Sequence, residues 1–315
     1  MSFSSEVKEE LSKHIGGSRH CQLAELAAIV YGAGYIQQDE NGQIKLFLQA
    51  DNSLVVRKFF TLLKKAFNIG TSILESVSDI RENGRIYRPV LVEQDDVMSV
   101  LGAIRMIDSD GNVRDITDGV SPMVIRNTCC KRAFLRDSFL CMGSISDPNK
   151  GYHLEYVCSY ESQAIQLQEI IESFDVEARI VRRKKYFVLY IKEGSQIVDL
   201  LNVMEAPISL MNLENLRIVK EMRNSINRRV NCEVANITKT VNAAAKQIDD
   251  ISFLRDHYGF DNLQKTLREM AEVRLENPDA TLLELGRLLD PPVGKSGVNH
   301  RLRKLSELAD KIKGM

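Results

Sequence analysis

Between positions 295 and 304 the sequence carries Lys295, Ser296, Asn299, His300, Arg301, Arg303 and Lys304 with no acid among them. Arginine can bond both acceptors of a guanine edge, asparagine an adenine edge, and lysine a phosphate, so this set suits recognition of a duplex rather than a reaction. Other chemically capable groups are weaker. Gly294-Lys295-Ser296 matches the tail of a phosphate-binding G-x-x-x-x-G-K-[ST] loop, but the leading glycine falls on Leu289, within a helical pattern and not after a strand. Nucleotide binding is rejected on that ground. His14, His20 and Cys21 lie near one another without a zinc spacing, and the six cysteines, Cys21, Cys129, Cys130, Cys141, Cys158 and Cys232, include no C-x-x-C pair. They are read as reduced and structural, and neither a metal nor a cofactor is expected.

The polar set must be held by helices. Asp261 with Gln264 can cap a first one, whose Leu263, Leu267, Met270, Ala271 and Leu275 make an apolar stripe ending at Asn277-Pro278. Thr281 and Glu284 form a capping box for a second, carrying Leu282, Leu285, Leu288 and Leu289. After the turn Asp290 to Lys295, Ser296 caps a third. At about 100° per residue, Val298, Leu302, Leu305 and Leu308 share one side, while Ser296, Asn299, His300, Arg303 and Lys304 point away and Arg301 lies on the flank. A third helix with a buried apolar side and a polar outer side is the arrangement of a recognition helix, so residues 281–313 are read as a helix-turn-helix. Its six-residue turn is longer than the usual three or four.

Charge is unevenly distributed. The 315 residues carry a net of −1, with 44% apolar and 27% charged residues, which excludes disorder and a fibrous chain. From Leu216 onward there are 18 Lys and Arg against 14 Asp and Glu, a net of +4, which leaves −5 on the first 215 residues. Between 217 and 246, seven bases including Arg228, Arg229 and Lys239 face only Glu221 and Glu233, a distribution suited to phosphate oxygens. Asn212 to Ile248 contains no Pro or Gly and is read as one or two connecting helices, with Val234, Ile237, Val241, Ala244, Ala245 and Ile248 on one stripe. No apolar run approaches the ~18 residues of a membrane span, and the opening MSFSSEVKEELSK is not a signal peptide, so a cytoplasmic protein without a membrane partner is expected.

The first two thirds contain an internal repeat. Val30-Tyr31-Gly32-Ala33-Gly34-Tyr35-Ile36 corresponds to Phe139-Leu140-Cys141-Met142-Gly143-Ser144-Ile145 at an offset of 109. In each copy a helix ending at glycine is followed by a turn at 38–42 or 147–151 and a strand at 45–48 or 154–157. A helix then runs from Leu54 to Phe67 with Val55, Phe59, Leu62 and Leu63 inward, or from Gln163 to Phe174 with Ile165, Leu167, Ile170 and Ile171 inward. Strands Ile73 to Val77 and Tyr87 to Val92, or Ala178 to Val181 and Tyr186 to Ile191, and a short helix, Val97 to Ile104 or Ile197 to Val203, complete an α-β-β-α-β-β-α unit used twice.

A doubled unit of this kind, with Leu26-Ala27-Ala28-Ile29-Val30-Tyr31-Gly32-Ala33-Gly34 ending its first helix, resembles the LAGLIDADG homing-endonuclease fold. The resemblance implies that these helices pack closely about a pseudo-two-fold axis. In those nucleases an acid beside the terminal glycine holds a divalent cation at the scissile phosphate. Here Ala33 and Met142 stand at those positions, and neither offers a hard oxygen ligand, so cleavage is not expected. Asp137, inside the helix, and Asp147, in a turn, are the remaining nearby acids. Arg179, Arg182, Arg183, Lys184 and Lys185 cluster on the second copy's hairpin, where they suit either phosphate contacts or a solvated protein-binding surface.

With the C-terminal module included, the whole chain resembles the WhiA family, most specifically at Ser2 to Leu11 and Lys295 to Leu305. The expected fold is α+β: a two-copy LAGLIDADG-like domain over 1–210 (copies at about 20–110 and 130–205), a basic helical linker over 211–255, and an all-α helix-turn-helix domain over 256–315. The resemblance implies a sequence-specific, non-enzymatic bacterial transcription regulator associated with sporulation, cell division or chromosome segregation, bound to double-stranded DNA on the nucleoid. Another transcription regulator or RNA polymerase is a further partner it implies. A chromosome-associated scaffold and a residual nuclease are the competing functions.

Overall fold

The computed structural model describes residues 2–40, 42–70, 79–81, 84–86, 90–91 and 93–314. They form two compact units, Met1–Lys220 and Glu221–Met315.

The first unit opens with α1 (Phe3–Lys13), capped by the Ser2 hydroxyl accepting from the Ser5 amide, with Val7 and Leu11 buried. Copy one follows as α2 (Arg19–Ala33), β1 (Gly34–Gln38), β2 (Ile44–Leu48), α3 (Ser53–Phe67), the short hairpin β3 (Asp79–Arg81) and β4 (Gly84–Ile86), β5 (Val90–Leu91) and α4 (Gln94–Ala103). Copy two is α5 (Thr128–Met142), β6 (Gly143–Ile145), β7 (Leu154–Cys158), α6 (Glu161–Glu172), β8 (Arg179–Arg183), β9 (Tyr186–Ile191) and α7 (Gly194–Val203). The strands order as β1-β2-β5 in one sheet and β6-β7-β9-β8 in another, with antiparallel pairing throughout. The expected strand Ile73 to Val77 lies outside the described residues, as do Tyr87 to Pro89 and Val92 of the next one.

Helices α2 and α5 start and end at the 109-residue offset. Each is buried over eight consecutive residues, Ala24–Tyr31 and Ala133–Leu140, which are the same positions of the repeat. Burial on every side explains why neither has a one-sided apolar stripe: they form the central pair, packed against each other more extensively than any other two elements. Small residues make that approach possible, because a Cβ added at Gly32 would stand 2.7 Å from Met142 Cε and 3.0 Å from Cys141 Cβ. The inward residues expected on α3 are buried, whereas Ile165 of α6 is 44% exposed and faces away from the core. Its neighbours Leu167, Ile170 and Ile171 carry that contact instead.

The long helix α8 spans Pro207–His257 without interruption, one helix where one or two were expected. Its first turn is held by Glu10, whose carboxylate accepts from the Ile208 and Ser209 amides at 2.8 and 2.9 Å. The stripe expected along 234–248 is not buried: Val234, Ile237 and Val241 are 55–63% exposed. In the second unit α8 ends in a core where Ile251 and Leu254 pack with α9 (Lys265–Glu276), α10 (Leu282–Leu288) and α11 (Lys295–Lys313) around Met270, Leu285, Val298, Leu302 and Leu305. No helix among the described residues is long and apolar enough to cross a membrane.

Candidate nucleic-acid interface

The three C-terminal helices hold the polar set of 295–304 as the sequence pattern requires. Thr281 and Glu284 form the expected capping box, the hydroxyl accepting from the Glu284 amide and the carboxylate from the Thr281 amide at 2.8 Å. That backbone bond holds the Glu284 carboxyl below the ordinary carboxylate range. The connection to α11 is fixed by Val293, whose amide donates to the Gly286 carbonyl at 2.8 Å. An added Cβ at Gly286 would stand 2.1 Å from the Val293 carbonyl oxygen, so only glycine lets the loop close on α10.

Two caps differ from expectation. α9 begins at Lys265 with Gln264 as its cap, and Asp261 sits in a preceding 3-10 turn, pairing with Arg268 at 2.8 Å. α11 begins at Lys295 with Gly294 as its cap, so Ser296 lies inside the first turn. An N-terminal glycine in extended conformation leaves the cap position without a side-chain acceptor, which the Ser-based reading could not anticipate.

On α11, Val298, Leu302 and Leu305 are buried, while Lys295, Ser296, Asn299, His300, Arg303 and Lys304 are exposed and Arg301 is half-buried. One exposed surface thus collects the set apart from Arg301, which lies at its flank. It is less free of acid than the sequence window implied, because Glu307 accepts from Arg303 Nε at 2.8 Å one turn along. An exposed i, i+4 pair is weak and exchangeable, so it orients Arg303 without committing it.

The remaining bases lie on other elements. Arg228, Arg229 and Lys239 are exposed on α8, with Arg229 paired to Glu233 at 3.2 Å. In the first unit the β8–β9 turn places Lys184 in the left-handed region at φ 56°. Strand alternation divides that cluster: Arg179, Arg183 and Tyr190 share one face with Glu155, to which Arg183 pairs at 3.8 Å, while Arg182 lies over Phe187 on the opposite face. Lys185 lies over Tyr186. The hairpin bases therefore do not form one face.

Ala33 and Met142 end α2 and α5 side by side with Gly34 and Gly143. The pocket there, about 270 Å³, is lined by Gly32, Ala33, Gln49, Ala50, Asp51, Val55 and Cys141, which supply a single carboxylate. Asp137 does not reach it. That side chain is fully buried, 2.9 Å from Lys58 Nζ, and burial pushes its carboxyl up to about 7 against the pull of the lysine. Asp147 accepts from the Asn149 amide at 2.9 Å, which holds its carboxyl low and makes it a turn former. His14 pairs with Glu205 at 3.0 Å and stands apart from His20 and Cys21.

Comparison with known proteins agrees with these features region by region. Family models match residues 19–107 (WhiA N-terminal LAGLIDADG-like domain), 131–223 (WhiA LAGLIDADG-like domain) and 226–309 (WhiA C-terminal HTH domain). A probable cell division protein WhiA of Lachnoclostridium phytofermentans is 55% identical, covering 99% of this chain and 100% of that one. The chain belongs to the WhiA family. A second WhiA relative, the probable cell division protein of Lachnospira eligens, is 45% identical over 99% of this chain and 98% of its own. The crystal structure of full-length DUF199/WhiA from Thermatoga maritima shares the fold, with a TM-score of 0.60 and 24% identity over 99% of both chains. The WhiA architecture, two LAGLIDADG-like regions and a helix-turn-helix, is thus the α+β arrangement expected from the repeat and the C-terminal helices.

Proposed function

We propose that this WhiA-family chain is a sequence-specific, double-stranded-DNA-binding transcription regulator, and that its LAGLIDADG-like region cleaves no DNA. The observation that carries this reading is the outer surface of α11, where Lys295, Asn299, His300, Arg303 and Lys304 stand exposed on a helix fixed from behind by Val298, Leu302 and Leu305. Arg303 and Asn299 have the donor geometry for base edges, and Lys295 and Lys304 the charge for phosphates. Residues 256–315 carry recognition in this reading, Arg228, Arg229 and Lys239 of the 211–255 segment add phosphate contacts, and Arg183 with Lys184 and Lys185 at the β8–β9 turn supplies secondary phosphate contacts, Arg182 being turned to the opposite face. The absence of acids at Ala33 and Met142 supports the non-enzymatic part. The names of the relatives, probable cell division proteins, support a role in cell division; a cytoplasmic, nucleoid-associated location and RNA polymerase or another regulator as the second partner belong to the same proposal.

The test is selection of duplexes from a random pool by the full chain, followed by occupancy and expression measurements in cells. Enrichment of one motif, with expression changes at occupied promoters, is expected. Uniform retention of the pool would contradict sequence-specific reading, and occupancy without expression changes would favour a chromosome scaffold.

A further inference from the structure

The repeat offset that aligns α2 with α5 also aligns His20 with Cys129 and Cys21 with Cys130. Each pair occupies the second and third residues of its helix. Because the two helices are the central, closely packed pair, both ends converge. His20 Nδ1 lies 3.2 Å from Cys130 Sγ, 3.4 Å from Cys21 Sγ and 4.0 Å from Cys129 Sγ, and all four potential ligand atoms fall within 4.8 Å of one another. We propose that His20, Cys21, Cys129 and Cys130 form a tetrahedral Cys₃His site for Zn²⁺, closing the N-terminal ends of the two LAGLIDADG-like helices on each other.

Geometry, ligand softness and electrostatics agree. Zinc bonds of about 2.0–2.3 Å to imidazole nitrogen and thiolate sulfur give tetrahedron edges of about 3.5–3.8 Å, the range that the observed separations bracket. Three sulfurs and one nitrogen, with no oxygen, select a soft or borderline cation and exclude Mg²⁺ and Ca²⁺. Three thiolates around one Zn²⁺ leave a net charge of −1, and the complex sits at two helix N-termini, whose partial positive charge favours it. Cys130 is buried and Cys21 half-buried, whereas Cys129 is exposed, so the ion is anchored from within and loads from solvent. The inner wall is tight: an added Cβ at Gly16 would stand 2.6 Å from Cys21 Cβ, so that loop holds the Cys21 side chain in place. Four protein ligands close the coordination sphere, which makes the site structural and independent of whether the chain binds DNA.

Sequence spacing alone hides this set because the two ligand pairs are separated by more than a hundred residues. The signal that finds it is the repeat itself, since each pair falls on the other at the offset of the neighbouring helices.

The test is elemental analysis of the full chain purified without chelator, with X-ray absorption at the zinc edge and titration of free thiols. One zinc per chain, bound by three sulfurs and one nitrogen, is expected, and Cys129→Ser with Cys130→Ser should abolish it while far-ultraviolet circular dichroism stays unchanged. His20→Cys, which makes the two pairs alike, should retain the ion with four sulfurs. If the double serine variant does not fold, cobalt(II) added to the metal-free wild-type chain decides the matter. Tetrahedral cobalt absorption with thiolate charge transfer supports the site. A metal-free chain with six titratable thiols and no cobalt spectrum, or one with Cys21 disulfide-bonded to Cys129, overturns it.

Discussion

Lys58 Nζ lies 2.9 Å from Asp137 Oδ1 with neither side chain reaching solvent. The lysine comes from α3 and the aspartate from α5, and the same ammonium donates to the Leu11 carbonyl of α1 at 3.2 Å. One buried charge therefore ties three helices together. Beside it Arg136 of α5 pairs with Glu25 of α2 at 2.8 Å, both also buried, so the centre of the first unit holds two basic and two acidic side chains within an apolar shell.

Such a pair gains little over an apolar replacement, yet losing one partner leaves an uncompensated buried charge. Asp137→Ala is expected to lower the unfolding free energy by about 3–5 kcal/mol, whereas Lys58→Met combined with Asp137→Leu should recover most of that loss. Urea unfolding of the single and double variants checks this. Equal loss in both would mean that the pair contributes through its mutual attraction and not through compensation of burial.

The repeat in the sequence located the C-terminal ends of both central helices because each closes at a glycine, where a Cβ would meet its own helix's last turn at Val30 or Phe139. Surface position was less legible. Ile165 follows the apolar spacing of α6 but is exposed, and Val234, Ile237 and Val241 form a stripe on α8 that no core covers within the second unit. Periodicity reports which residues share a face, not whether anything packs on it. The α11 cap falls on Gly294 instead of Ser296 for a local reason: the loop is positioned by Val293 closing on Gly286, a contact that cap preference does not encode.

That contact yields a second prediction. Gly286→Ala forces a Cβ into the Val293 carbonyl, 2.1 Å away, and the backbone must shift to admit it. Overpacking of this kind costs about 1–3 kcal/mol. The displacement falls on the loop that sets the start of α11, so affinity for the selected duplex should drop along with stability. Calorimetric melting and anisotropy on the same variant test it, and unchanged values in both would show that the loop accommodates a methyl group.

Cleavage is expected to be absent. Ala33 and Met142 end the paired helices without oxygen ligands, Asp51 is the lone carboxylate in the adjoining pocket, and Asp137 is committed to Lys58. Supercoiled plasmid carrying the selected motif should remain intact with Mg²⁺ or Mn²⁺. Specific linear product that disappears with EDTA would show that ions are held by groups other than those at the helix ends.

Arg303 and Lys295 separate base reading from phosphate contact. Arg303→Ala should cost about 1–3 kcal/mol on the selected duplex and much less on random sequence, if its guanidinium bonds a base edge. Lys295→Ala should weaken all duplexes alike and reduce the slope of log affinity against log salt by about 1. Glu307 sharpens the comparison because it holds Arg303 Nε at 2.8 Å in the unbound chain. Glu307→Gln removes the competing charge and leaves the helix and its buried side intact, so binding of the selected duplex should tighten modestly, and more at low salt. Anisotropy titrations of the three variants across a salt series decide the assignment. Equal losses on selected and random duplexes for Arg303→Ala would place that side chain on the phosphate backbone and move base recognition to Asn299 and His300.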